Sequence, residues 1–231
     1  MKHPRVIFLD AVGTLFGVKG SVGEIYGLLA RQFGVTVEAE ILDAAFFQSF
    51  QAASPMAFPR VSQSEIPERE FAWWWAIAAQ TFQKAGVLDQ FTDFSAFFTV
   101  LYSHFETDQP WLVYPDIRST LTQWCDQGIE LGIVSNFDSR IYAVLSALEL
   151  AEFFSSVTIS TEVGVAKPDP QVFVAALQKH NCSPEEAWHI GDSFKEDYEG
   201  AKAAGLRAIW LKRNSISVPA SSLTRATGRL I

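Results

Sequence analysis

This sequence predicts an α/β fold: a parallel sheet covered by helices on both faces, interrupted near its start by an all-helical insertion. Three observations predict it. A short apolar run, Arg5 to Leu9, ends in Asp10. A long stretch from Ser21 to about Phe105 carries only helical periodicity, and from Pro115 onward strands and helices alternate.

Taken in order, Arg5 to Leu9 reads as a buried strand, a short run of β-branched and aromatic residues ending in Asp10. Val22, Ile25, Tyr26, Leu28 and Leu29 then recur at helical spacing. The pattern returns over Glu38 to Phe50, Glu65 to Lys84 and Phe91 to His104, with breaks at Gly34, Ser54-Pro55 with Pro59, Gly86 and Pro110. After Pro115 the predicted series is helix Asp116 to Gln127, strand Glu130 to Val134, helix Ser139 to Glu149 and strand Ser156 to Ser160. Helix Pro170 to His180, strand Ala187 to Ile190, helix Lys195 to Ala204 and strand Arg207 to Leu211 follow. The expected division is a Rossmann-like core of residues 1–16 and 112–231 and a helical segment of residues 17–111. The tail from Arg213 to Ile231, rich in Ser, Thr and Arg, is expected to pack along the core's edge.

Composition narrows the class of function. With 231 residues, 48% of them hydrophobic, the chain can bury a substantial core. Its formal net charge of −8 offers no basic field for nucleic acid or an anionic membrane, so the expected partner is a small molecule. Cys125 and Cys182 lack a metal-ligand spacing and suggest no disulfide framework, which fits a reducing compartment. The apolar run before Asp10 is too short for a signal-peptide core or a membrane span, so a cytoplasmic location is expected.

The chemistry gathers at strand ends. Asp10, Ser135-Asn136, Thr161-Glu162 and Gly191-Asp192 each close a predicted parallel strand, the place where open α/β sheets bind ligands. Asp10 is the candidate nucleophile, and Gly13 permits the tight turn that follows it. The Thr14 hydroxyl, Ser135 and Asn136 offer hydrogen bonds to an anionic group, and Lys167 offers a fixed cation. Asp192 and Asp197 straddle a strand-to-helix turn as hard oxygen ligands of the kind Mg²⁺ takes. Asp10, Asp192 and Asp197 bring three negative charges against one from Lys167, so an anionic substrate calls for a divalent cation. In the helical segment, Phe71, Trp73, Trp74, Trp75, Phe91, Phe94, Phe97 and Phe98 read as packing between helices. Arg31, Arg60, His104 and Tyr26 read as surface residues.

Asp10-Ala11-Val12-Gly13-Thr14-Leu15, Val134-Ser135-Asn136, Lys167-Pro168-Asp169-Pro170 and Gly191-Asp192 with Asp197 together resemble the four motifs of the haloacid-dehalogenase-like hydrolase superfamily. The helical segment is similar to that superfamily's first-type cap, which selects substrates. Ser135-Asn136-Phe137-Asp138 and the aromatic cap resemble the group of domain-containing protein 3 and the rhythmically-expressed-gene-2-like proteins. The resemblance implies that Asp10 attacks phosphorus. It also implies that Asp10, the Val12 carbonyl and Asp192 hold Mg²⁺, that Asp197 orients a water, and that Thr14, Ser135 and Lys167 hold the phosphoryl group. One position departs from the pattern. Phosphatases of the superfamily usually carry a second Asp where this chain has Val12, and valine can neither protonate a leaving alcohol nor activate water. The expectation is an Mg²⁺-dependent phosphatase on a small phosphorylated molecule, with weakened acid-base catalysis. The alternatives are a 2-haloacid dehalogenase, whose first motif has a similar form, and a binding or regulatory protein with little turnover.

Overall fold

A computed structural model describes residues 3–213, in two compact units. The predicted tail beyond Arg213 lies outside the described residues. Among the described residues, one unit draws on 3–17, Ala57–Val61 and 113–213, the other on Val18–Met56 and Ser62–Leu112.

The first unit is built on a five-stranded parallel sheet. Its strands are β1 (Val6–Leu9), β4 (Glu130–Ser135), β5 (Ser156–Ile159), β6 (Ala187–Gly191) and β7 (Arg207–Trp210), in the order β5-β4-β1-β6-β7. β1 lies at the centre, with Leu9 level with Ile133 of β4 and with Ile190 of β6. Its four residues are buried on both faces, as an apolar run flanked by helices requires. Phe8 joins Val134, Val172, Phe173, Ala176 and Leu177 in a cluster under one layer of helices, and Ile7 and Leu9 alternate to the other face. The helices are α5 (Ile117–Asp126), α6 (Ile141–Ala147), α7 (Ser160–Val163), α8 (Pro170–His180) and α9 (Gly200–Ala203).

The second unit consists of α1 (Val22–Gln32), α2 (Ala39–Ala52), α3 (Ile66–Lys84) and α4 (Phe94–His104), with short 3₁₀ turns. α1 starts on a capping box in which Ser21 Oγ accepts from Glu24 N and Glu24 Oε2 from Ser21 N, each at 3.1 Å. The core is aromatic. Phe82 is stacked on Tyr26 and meets Phe91, Phe94 and Phe97 edge-on. Tyr26 is therefore a core residue and not a surface one, while Trp75, read as packing, is 40% exposed.

Four local features differ from the sequence expectation. Two three-residue strands, β2 (Phe16–Val18) and β3 (Trp111–Val113), pair in a sheet of their own. Three residues are too few to display a periodicity. Ser160–Val163 forms a helical turn directly after β5. Where one helix from Lys195 to Ala204 is predicted, a π-helical turn, Phe194–Glu199, precedes α9. Ala57–Val61, inside the span assigned to the helical segment, cluster with the sheet unit, where the Pro59 backbone lies against Gly164.

Candidate functional site

Parallel register brings the strand ends together, and each polar side chain then arrives from a different loop. The loop after β1 folds back so that the Ala11 carbonyl accepts from the amides of Thr14, Leu15 and Phe16 at 2.8–3.3 Å. Gly13 adopts φ +86°, and a Cβ on it would lie 2.6 Å from Cγ of Asp192. Glycine is thus required there twice, for its conformation and for the carboxylate beside it. Gly191 makes the same allowance for Asp197, whose carboxylate occupies the place a side chain would take.

Asp10 is 7% exposed. Its Oδ1 accepts from Ser135 Oγ at 2.9 Å and from Lys167 Nζ at 2.7 Å. Among the described residues both hydrogen bonds fall on that oxygen, which leaves Oδ2 for other chemistry. The buried Lys167 ammonium also donates to Asp197 Oδ1 at 2.5 Å. Asp197 is held further by His189 Nε2 at 2.9 Å and, through Oδ2, by the Ser193 amide at 2.9 Å. The π-helical turn puts Asp197 there, since the Ser193 carbonyl accepts from the amides of both Asp197 and Tyr198.

Asn136, an expected substrate contact, is engaged with the backbone of Lys167. Its Nδ2 donates to the Lys167 carbonyl at 3.0 Å and its Oδ1 accepts from the Lys167 amide at 2.7 Å, so the amide holds the lysine's backbone. Thr14 is buried, with its hydroxyl 3.4 Å from Asp192 Oδ1. Val12 lies at the turn and makes an isolated bridge with Phe16.

The electrostatics follow from this crowding. Burial works against the Lys167 ammonium, but Asp10 and Asp197 outweigh it and lift its pKa above the usual value. Burial likewise pushes Asp197 up, yet Lys167 and His189 hold it well below the usual carboxylate range. Asp10 is raised, chiefly by burial and further by Asp197, against the pull of Lys167. Asp192 is the exposed member. Loss of water around its carboxylate, then the charges of Asp10 and Asp197, push it up to about 6, although the residue as a whole is exposed. Ligand oxygens of Asp10, Asp192 and Asp197 lie within 4.8 Å of one another. Three acids so close, with one ammonium, and the room left for them at Gly13 and Gly191, fit a small hard cation such as Mg²⁺.

Two nearby residues escaped the sequence reading. His189 is buried in β6, burial lowers its pKa, and it donates from Nε2 to Asp197. Its Nδ1 has no partner among the described residues. A histidine inside an apolar strand looks like core; its one signal is that the strand runs straight into Gly191-Asp192. Glu196 is half-buried, hydrogen-bonded to Asn136 and raised in pKa mainly by burial. It resembles any exposed helix acid until the π turn is seen.

An open parallel sheet with an aspartate beyond its central strand, a buried lysine and an acid pair on the neighbouring loop defines a hydrolase core. Residues 4–205 match the haloacid dehalogenase-like hydrolases, and the chain belongs to that family. It is 36% identical over 206 residues to haloacid dehalogenase-like hydrolase domain-containing protein 3 of Mus musculus, covering 89% of this chain and 80% of that protein. It is also similar to glyceraldehyde 3-phosphate phosphatase of Methanopyrus kandleri, at 38% identity over 101 residues and 43% of each chain. Among solved structures, a phosphatase of the family from Thermococcus onnurineus superposes with a TM-score of 0.58 at 24% identity, over 93% of this chain and 89% of that one. That likeness shows the shared fold.

Proposed function

We propose that this hydrolase is an Mg²⁺-dependent phosphatase acting on a small phosphorylated molecule, with Asp10 as nucleophile. The observation that carries the reading is the cluster of Asp10, Asp192 and Asp197 around a single buried ammonium. Asp10, the Val12 carbonyl and Asp192 would hold the cation, and Asp197, whose oxygens are already engaged, would reach it through water. The cation supplies the positive charge that lets a phosphate approach three carboxylates. Asp10 Oδ2 attacks phosphorus in line with the leaving alcohol, forming an aspartyl-phosphate that water then cleaves. Ser135 and Lys167 keep the other oxygen occupied, which aims Oδ2. Lys167, Ser135 and the Thr14 hydroxyl receive the charge of the phosphoryl oxygens. Asn136 acts through Lys167, by fixing its backbone.

Val12 has no proton to give, so substrates whose leaving group is already a weak base, such as aryl or acyl phosphates, are favoured over alkyl phosphates. The sheet unit, with Ala57–Val61, then forms the hydrolase core, and Val18–Met56 with Ser62–Leu112 the cap that selects the substrate. The same valine favours a second reading, 2-haloacid dehalogenation, because halide departs unprotonated. The retained acid pair of Asp192 and Asp197 favours the phosphatase.

The test is a panel of aryl, acyl and alkyl phosphates and 2-haloacids, assayed with Mg²⁺ and with chelator. Phosphate release that needs Mg²⁺ and disappears in Asp10→Asn is expected. Dehalogenation that persists in chelator, with no phosphate release, sinks the phosphatase reading.

A further inference from the structure

Arg213 belongs to a segment expected only to pack along the core's edge, yet it grips the loop that carries Asp10. Its Nε and Nη2 donate to the Thr14 carbonyl at 3.0 and 2.7 Å. Its Nη1 donates to Asp116 Oδ1 at 2.9 Å, and Asp116 is buried. The guanidinium carbon lies over the Tyr114 ring, 3.9 Å from its centroid. Two residues earlier, the Leu211 amide donates to the Gly191 carbonyl at 2.8 Å, so the same segment is tied to the loop bearing Asp192.

We propose that Arg213 is a positioning residue for the reaction, clamping the Thr14 carbonyl to Asp116 and so fixing the Asp10–Phe16 loop. The inference rests on the phosphatase reading for its effect on turnover. Thr14 is the point at which such a clamp matters. Its carbonyl faces Arg213, while its hydroxyl faces Asp192 Oδ1, so one residue carries the grip on one side and a site group on the other. A fork of donors on a single carbonyl sets direction as well as distance, and its position over Tyr114, with pairing to Asp116, leaves the fork one orientation. Lysine has the charge and lacks the fork. The positive charge is matched by Asp116, which makes the residue's contribution geometric more than a change in the site's net charge.

The full chain is assayed in Mg²⁺ with p-nitrophenyl phosphate, comparing wild type, Arg213→Met, Arg213→Lys and Arg213→Ala. Misplacing a reacting group by about 1 Å can cost roughly 10²-fold, and a loss of that order in kcat with a much smaller change in KM is expected for Arg213→Met. Arg213→Lys should recover only part of it, and millimolar guanidinium should raise the turnover of Arg213→Ala. Amide exchange supplies a readout free of activity: the peptide spanning Gly13 to Phe16 should exchange faster in Arg213→Met, with the rest of the sheet unchanged. Wild-type kcat together with wild-type exchange in that peptide overturns the clamp. So does a kcat loss accompanied by faster exchange throughout, which marks general destabilisation. If wild type hydrolyses no phosphate at all, the phosphatase reading fails, and the exchange comparison still decides whether Arg213 holds the loop.

Discussion

The two edges of the same sheet each carry a histidine, a carboxylate and a serine, and they are arranged to opposite ends. At the amino edge, His180 Nδ1 lies 2.7 Å from Glu130 Oε2 and its Nε2 lies 2.6 Å from Ser156 Oγ. Arg5 Nε approaches Glu130 at 3.6 Å, and its Nη atoms donate to the carbonyls of His180 and Asn181 at the end of α8. Arg5 and Glu130 are both partly in water there. At the carboxyl edge Asp10, Asp192 and Asp197 crowd together, the Lys167 ammonium pairs with Asp10 and Asp197, and burial lowers the pKa of the histidine that joins them. Both histidines pack edge-on against a phenylalanine, Phe8 for His180 and Phe173 for His189, so aromatic packing does not distinguish them. What differs is charge balance. A network that only ties strands to a helix has no reason to hold excess charge in a buried place, since burial penalises it. The surplus at the carboxyl edge suits a site that could hold a metal ion.

The sharpest way to break this contrast is to remove the shared ammonium. Lys167→Met leaves Asp10 and Asp197 without their buried partner, and loss of one member of such a pair costs about 3–5 kcal/mol. A fall in thermal stability of that size is expected, with loss of turnover and with part of the stability restored by Mg²⁺. An unchanged melting temperature would show that the carboxylates are not held as a charged set.

A second change leaves the charge cluster in place and tests the proton. Val12→Asp returns an acid to the position where the family's phosphatases carry one, and general acid-base catalysis is worth roughly 10²–10⁴-fold. Alkyl-phosphate turnover should rise within that range, and aryl-phosphate turnover by much less, because the aryl leaving group needs little protonation. Equal gains on both would place the deficit elsewhere.

The contrast also explains what could be read from the chain. The central strand was legible because Val6–Leu9 is buried on both faces, and parallel strands so placed are apolar runs. Asp10, Ser135 and Asp192 could be placed together because each closes a predicted parallel strand, whereas Lys167 comes from the loop before α8 and reaches Asp10 across 157 positions. Contacts that join distant segments through the backbone were not legible. The grip of Arg213 on the Thr14 carbonyl spans 199 positions, and any residue type carries a carbonyl, so no side chain at position 14 announces it. The hold of Asn136 on the backbone of Lys167 is hidden for the same reason, since its partners are an amide and a carbonyl. The inward turn of Asp197 depends on a π-helical geometry that spacing does not encode.

The amino edge supplies the smallest predicted effect and the control for the others. His180→Leu removes two hydrogen bonds and leaves Glu130, 42% exposed at its side chain, free to meet water. Net hydrogen-bond contributions of about 1 kcal/mol apiece, discounted for that exposure, put the stability loss at roughly 1–2 kcal/mol. Turnover and its dependence on Mg²⁺ should match wild type once both proteins are assayed well below their melting temperatures. If His180→Leu instead altered the Mg²⁺ dependence, the two edges would be coupled through the strands, and charge balance alone could not account for their difference. Matching kinetics with lowered stability would confine the amino edge to holding β4, β5 and α8 together.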